Sequence, residues 1–164
     1  MKSLFIAECY AEKYMLETLG NSTQPQKSKG ISNAFEILNK FGDSKRNITA
    51  LVDNSKLLSN FIKPYKQIDS INNILIFTHK DNRNKQVFYL ELGAERTLLH
   101  DSDIAKVPLS KYDIPEDVKE FHKMNAKLHK GGTHQANFIN LLKALASDSN
   151  TIMSHLKTLI QERI

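Results

Sequence analysis

The chain is poor in the features that mark secreted and membrane proteins. Among its 164 residues there is one cysteine, Cys9, so an intramolecular disulfide framework is excluded. That usage points to a reducing cytoplasm as the expected compartment. No apolar run approaches the roughly 20 residues of a membrane-spanning helix, so no membrane partner is expected. The apolar stretch near the start, Leu4–Ala7, is too short for a signal-peptide core and runs into Glu8. Without a second thiol, zinc would have to rest on His122, His129 and His134, which lack further ligands at suitable spacing. These histidines are expected at the surface or at helix caps. Internal repeats and low-complexity segments are also missing.

What is present fits a folded α/β protein. Hydrophobic residues make up 40% and charged residues 25%, which supports a packed core and argues against wholesale disorder. The length favours one domain. The formal net charge of +5 suits a polyanionic partner, DNA or RNA.

Periodicity organises the chain around Ile48–Val52, an apolar run with β-branched residues that reads as a buried strand and ends on Asp53. Leu4–Ala7 reads the same way and ends on Glu8. Between them, Tyr10, Tyr14, Leu16 and Leu19 fall at helical spacing with Gly20 as C-terminal cap, and Asn21–Gly30 reads as a polar loop. A second helix carries Ala34, Phe35, Leu38 and Phe41, with Ser32 as its cap and Gly42 as its end. Leu57, Leu58, Phe61 and Ile62 form a short helix stopped by Pro64. Ile74–Phe77 and Gln86–Leu92 read as an antiparallel hairpin. From Gly93 onward the pattern is helical: a short helix Ala94–Leu99, a basic helix Glu116–Lys130 running to about Leu128, one capped by Thr133, and a last one on Ile152, Met153, Leu156, Leu159 and Ile160. The expected fold is a three-layer, mostly parallel α/β sheet with flanking helices. Residues 1–100 form the core and 101–164 a helical C-terminal cover, in a single domain.

Ligand chemistry in open α/β sheets gathers at the carboxyl ends of strands. Glu8 and Asp53 both stand there. Glu12 lies four residues after Glu8, on the first turn of the following helix. Hard oxygen ligands of this kind suit Mg²⁺ or Mn²⁺, and Glu8 is alternatively placed to act as a general base. Glu95 opens a helix, as an acid favoured by the dipole or as an extra ligand. Lys119, Lys123, Lys127 and Lys130 recur at helical spacing, and Lys56 follows Asp53 closely; as a set they offer contacts to a phosphate backbone or simply a solvated face. Cys9 sits between two acids and reads as a packing residue.

Glu8-Cys9-Tyr10-Ala11-Glu12 is similar to the Glu-Gly-x-x-Asp/Glu that closes the first strand of Toprim domains, which occur in topoisomerases, primases and OLD-type nucleases. Val52-Asp53-Asn54-Ser55 resembles their later Asp-x-Asp. The resemblance covers roughly the first hundred residues. It implies a metal-dependent nuclease or phosphodiester-processing enzyme in which Glu8 is the key acid and, with Glu12, Asp53 and Ser55, a metal ligand. Cys9 stands where the family has glycine and Ser55 where it has a second aspartate, so the resemblance also admits a catalytically silent module that binds nucleic acid or a partner. A further α/β reading uses the same residues. Receiver domains of two-component signalling carry a phosphorylated aspartate near the place of Asp53, and Thr78 and Lys106-Val107-Pro108 look like their switch threonine and lysine-proline pair. Receivers also need a second strand, for which Asn21–Gly30 looks too polar.

Overall fold

The computed structural model of the chain describes residues 2–21, 24–41, 44–53 and 55–164, the side chain of Ser55 excepted. Gly42, the expected end of the second helix, and the Ser55 side chain, an expected metal ligand, therefore lie outside the described residues.

Six strands make one mixed, mostly parallel sheet: β1 (Leu4–Ala7), β2 (Gln26–Lys27), β3 (Ile48–Val52), β4 (Tyr65–Ile71), β5 (Ile74–His79) and β6 (Lys85–Leu90), in the spatial order β2-β1-β3-β6-β5-β4. β2, β1, β3 and β6 run parallel, and β5 and β4 continue the sheet antiparallel. The described helices are α1 (Tyr10–Leu19), α2 (Ile31–Lys40), α3 (Ser55–Phe61), α4 (Ala94–Ala105), α5 (Val118–Asn125), α6 (Gly132–Ala146) and α7 (Ile152–Gln161), with 3₁₀ turns at Leu109–Tyr112 and Leu128–Lys130.

Alternation along the strands builds two apolar clusters. Phe5, Ala7, Leu51, Phe88 and Leu90 join the inner faces of α1, α4, α6 and α7, whereas Ile6, Ala50, Val52 and Val87 join Ala34, Phe35 and Leu38 of α2 and Leu58 of α3. All five residues of β3 are buried, which is why that strand reads as an unbroken apolar run. Each large apolar side chain fully buried here contributes about 1.5–3 kcal/mol. Phe138, Leu141, Leu142 and Leu145 of α6 and Ile152, Met153, Leu156, Leu159 and Ile160 of α7 are buried as their spacing predicts.

Several elements differ from the sequence reading. The polar loop Asn21–Gly30 contains β2, held by parallel pairing of Gln26 with Ile6 and Lys27 with Ala7. β4 lacks an apolar signature because it is an edge strand with only Tyr65 buried. The cap of α2 is Gly30, whose φ of 106° favours glycine, and Ser32 is exposed inside the helix. Leu57 is exposed, so it does not share the inner face of α3. The helix beginning at Ala94 runs on to Ala105, across the expected boundary at residue 100. Gly131, rather than Thr133, precedes α6. The expected basic helix Glu116–Lys130 is interrupted: α5 ends at Asn125, and the chain then tightens into 3₁₀ geometry that turns Leu128 inward.

Among the described residues, no helix is long and apolar enough to cross a membrane.

Candidate functional site

The parallel strands β2, β1, β3 and β6 deliver their carboxyl ends to one rim of the sheet, and the acids foreseen there meet. Glu8 follows β1 directly and is buried; Asp53 follows β3 and is half-buried. The Asp53 backbone N–H donates to Glu8 Oε2 at 2.8 Å. Asp53 Oδ2 in turn accepts from the N–H of Ala94, the first residue of α4, at 2.9 Å. That amide is one of the N-terminal donors a helix leaves unpaired, and a carboxylate satisfies it with help from the helix dipole. Gly93 makes the junction possible, since its φ of 81° suits a residue without Cβ.

The loop after β2 closes the same corner. The Ser28 N–H donates to Ala7 O at 2.8 Å, Ser28 Oγ donates to Glu8 O at 3.2 Å, and the Gly30 N–H reaches Glu8 O at 3.2 Å. The backbone on which the Glu8 side chain is mounted is therefore fixed from two neighbouring segments.

Glu12, in the first turn of α1, is completely buried. Cys9 Sγ donates to its Oε2 at 2.6 Å. Its Oε1 is buried and no hydrogen-bond donor among the described residues reaches it. The Asp53 carboxylate lies against this side chain. Burial first, and the Asp53 charge second, push the Glu12 carboxyl well above the usual range. Cys9 Sγ and carboxylate oxygens of Glu12 and Asp53 all lie within 4.8 Å of one another. Burial, then the Glu12 carboxylate, push the Cys9 thiol far up, which removes it as a nucleophile.

A cavity of about 470 Å³ opens onto this corner, lined by Glu8, Cys9, Tyr10, Lys27, Lys29, Gly30, Glu95, His122 and Asn125 among others. The contacts that build its far wall were not legible in the sequence. Glu95, in the first turn of α4, accepts from Asn125 Nδ2 at 3.2 Å, and its Oε1 lies 2.9 Å from His122 Nδ1. Asn125 Oδ1 lies 3.2 Å from His134 Nε2. Glu95 is thus engaged by α5 rather than standing with Glu12 and Asp53 as an extra ligand. The ring of His129 stacks on Tyr10 at 4.5 Å, and Lys27 Nζ lies 4.4 Å from the centroid of the Tyr10 ring. His122 and His129 are exposed as foreseen and His134 is half-buried, and each of the three also has a specific partner at or behind this cavity. Their partners lie up to 119 residues away, so no local spacing announces them.

The foreseen lysines divide. Lys56 is exposed in the first turn of α3, close after Asp53. Lys119 and Lys123 are exposed on α5, and Lys127 and Lys130 are exposed beyond its end. Lys123 pairs with Glu120 at 3.3 Å. None of these five lines the cavity, whereas Lys27 and Lys29, which sequence reasoning passed over, do.

The receiver-like reading of the acids does not survive the register. Thr78 pairs with Gln86, and Gln86 pairs with Thr49, so Thr78 stands level with the start of β3, about four residues or roughly 13 Å from Asp53. The strand that reading lacked is present as β2, yet the switch threonine is at the opposite rim. Lys106 ends α4 at its C-terminal cap, while Asp53 holds the same helix by its first residue.

No family model, no curated protein and no solved structure matches the chain.

Proposed function

We propose that the chain is a Toprim-like protein with a three-layer α/β core, and that it processes nucleic-acid phosphodiesters with the help of a divalent cation. One observation supports this above the others: the tips of β1 and β3 are joined by the Asp53 N–H to Glu8 Oε2 bond, with Glu12 and Asp53 close together behind a corner where Glu8 and Cys9 line a cavity. Two carboxylates this close repel one another and favour a cation between them, and the orphaned Glu12 Oε1 fits a cation ligand. Mg²⁺ or Mn²⁺ bound by Glu12 and Asp53 would polarise a phosphoryl oxygen and stabilise an in-line displacement. Ser55 would complete the set by sequence position. Glu8 is held rigidly at the cavity wall, where it would orient or deprotonate the attacking water. Lys27 and Lys29 would meet the charge of the phosphate, and His122, steadied by Glu95, would stand on the leaving-group side. Lys56 and the exposed lysines of α5 and the following turn would hold flanking backbone.

The test is cleavage of supercoiled and single-stranded DNA and of RNA with Mg²⁺ or Mn²⁺, comparing wild type with Glu8→Gln. Metal-dependent cleavage that disappears in the variant is the expected result. Nucleic-acid binding with no turnover in either protein would leave a catalytically silent Toprim-like module. If calorimetry finds no difference in metal binding between wild type and Asp53→Ala, the proposed metal centre falls.

A further inference from the structure

Cys9 occupies a position that the carboxylate chemistry does not require. It is the N-cap of α1, yet its side chain makes no capping bond to the helix. Instead the sulfur turns to Glu12 Oε2. The same sulfur, a Glu12 oxygen and an Asp53 oxygen lie within 4.8 Å of one another. Ligand atoms bound 2.0–2.3 Å from a tetrahedral ion stand roughly 3–4 Å apart, so only a small contraction separates this arrangement from a coordinated one. A further observation bears on the same side chain: Glu12 is completely buried, and its Oε1 has no hydrogen-bond partner among the described residues.

Resting on the reading of a cation centre given above, we infer that Cys9 is itself a ligand, and that the centre selects a thiophilic divalent cation of the Zn²⁺ or Co²⁺ kind over Mg²⁺. A thiolate with two carboxylates is a borderline-soft set, whereas Mg²⁺ demands oxygen and keeps most of its water. Three protein ligands also leave a position open for water or a phosphoryl oxygen, as catalytic zinc centres do. The frame is rigid: Cys9 and Glu12 share one helical turn, and Asp53 is pinned by the Ala94 amide. Binding releases the Cys9 proton to solvent, because a coordinated thiol is deprotonated outright.

The metal-free protein is titrated with Co²⁺ while the near-ultraviolet charge-transfer band of a thiolate–cobalt bond is followed, and Zn²⁺ and Mg²⁺ affinities are measured by calorimetry. The wild type is expected to show the band and to prefer Zn²⁺ to Mg²⁺. Cys9→Ser is expected to lose the band and to weaken Zn²⁺ by at least the 10–100-fold that even outer-shell changes cost, with Mg²⁺ affinity little changed. Protection of the Cys9 thiol from alkylation by Zn²⁺ in the wild type supplies a readout that needs no variant. Co²⁺ binding without the band, with alkylation unaffected, overturns the role of Cys9 and leaves a carboxylate centre intact. Failure of the wild type to bind any of these ions overturns both.

Discussion

Asp53 donates its backbone N–H to Glu8 Oε2 and accepts the Ala94 N–H at its own Oδ2, so one residue ties the end of β1 to the end of β3 and the start of α4. This relationship separates charge from architecture at Glu8. Glu8→Gln keeps an acceptor oxygen for the Asp53 amide, and its unfolding free energy should stay within about 1 kcal/mol of wild type. Glu8→Ala leaves that amide without its acceptor and should cost about 1–3 kcal/mol. Urea unfolding reads both. Both variants are expected to lose metal-dependent cleavage, and retention of cleavage by Glu8→Gln would remove Glu8 from the chemistry.

The division of lysines makes a second prediction. Lys27 and Lys29 line the cavity, while Lys119 and Lys123 are exposed on α5. If a phosphate backbone enters the cavity, the double change Lys27→Ala with Lys29→Ala should lower the salt slope of nucleic-acid binding by about 2, roughly 0.9 for each phosphate no longer neutralised on duplex DNA. Lys119→Ala with Lys123→Ala should weaken affinity less, since Lys123 already has a partner in Glu120. A larger effect of Lys119→Ala with Lys123→Ala would instead make the outer helix the main phosphate-binding surface.

Both residues that anchor the site were legible because they end apolar runs, and the position of an acid after a buried strand follows from local sequence. Glu12 was legible for the same reason, one helical turn later. Glu95 was foreseen at the start of its helix and His122 at the surface, but their pairing with each other and with Asn125 was not legible, because Glu95 meets these partners across 27 and 30 residues. The same limit explains the missed strands. β2 is strand only by virtue of its pairing to Ile6 and Ala7, and β4 is an edge whose register slips between Gln67 and Asp69, so neither shows the apolar period that marked β3 and β5. The break after Asn125 carries no glycine or proline of its own; it follows from the inward turn of Leu128, a packing event.

Asp101 gives a third prediction, on how the C-terminal helix is fastened. Its two oxygens accept from the N–H groups of Ile152 and Met153 at 2.8 and 2.9 Å, and Thr151 Oγ1 accepts from the Ser154 N–H at 3.1 Å. Three of the amides that open α7 are therefore paired, two of them by a buried residue of α4. Asp101→Ala should cost about 2–4 kcal/mol, since it strands two buried amides, and should raise hydrogen exchange first in α7. Asp101→Asn keeps one acceptor and should cost clearly less. Burial pushes Asp101 above its ordinary value, while the two amide bonds pull the other way. If Asp101→Ala unfolds like wild type, the link between α4 and α7 contributes nothing measurable.

Tyr65 permits a prediction of opposite sign. It begins β4 with its ring edge-on to Phe35 at 5.6 Å and to His79 at 5.0 Å. Its hydroxyl is buried and has no partner among the described residues. Tyr65→Phe removes that hydroxyl while keeping the ring, and should stabilise the fold by about 1 kcal/mol. Burial raises the phenol to about 12, above the value of about 10 in an unfolded chain. The folded state therefore keeps its proton where the unfolded state has lost it. The contribution of this group is complete below about pH 10 and drains away as the pH rises towards 12, about 2–3 kcal/mol over that window. Tyr65→Phe has no such group, so the gap between variant and wild type in urea unfolding should widen from about pH 9 to about pH 11. Curves that stay parallel across that range would mean that the Tyr65 hydroxyl reaches solvent.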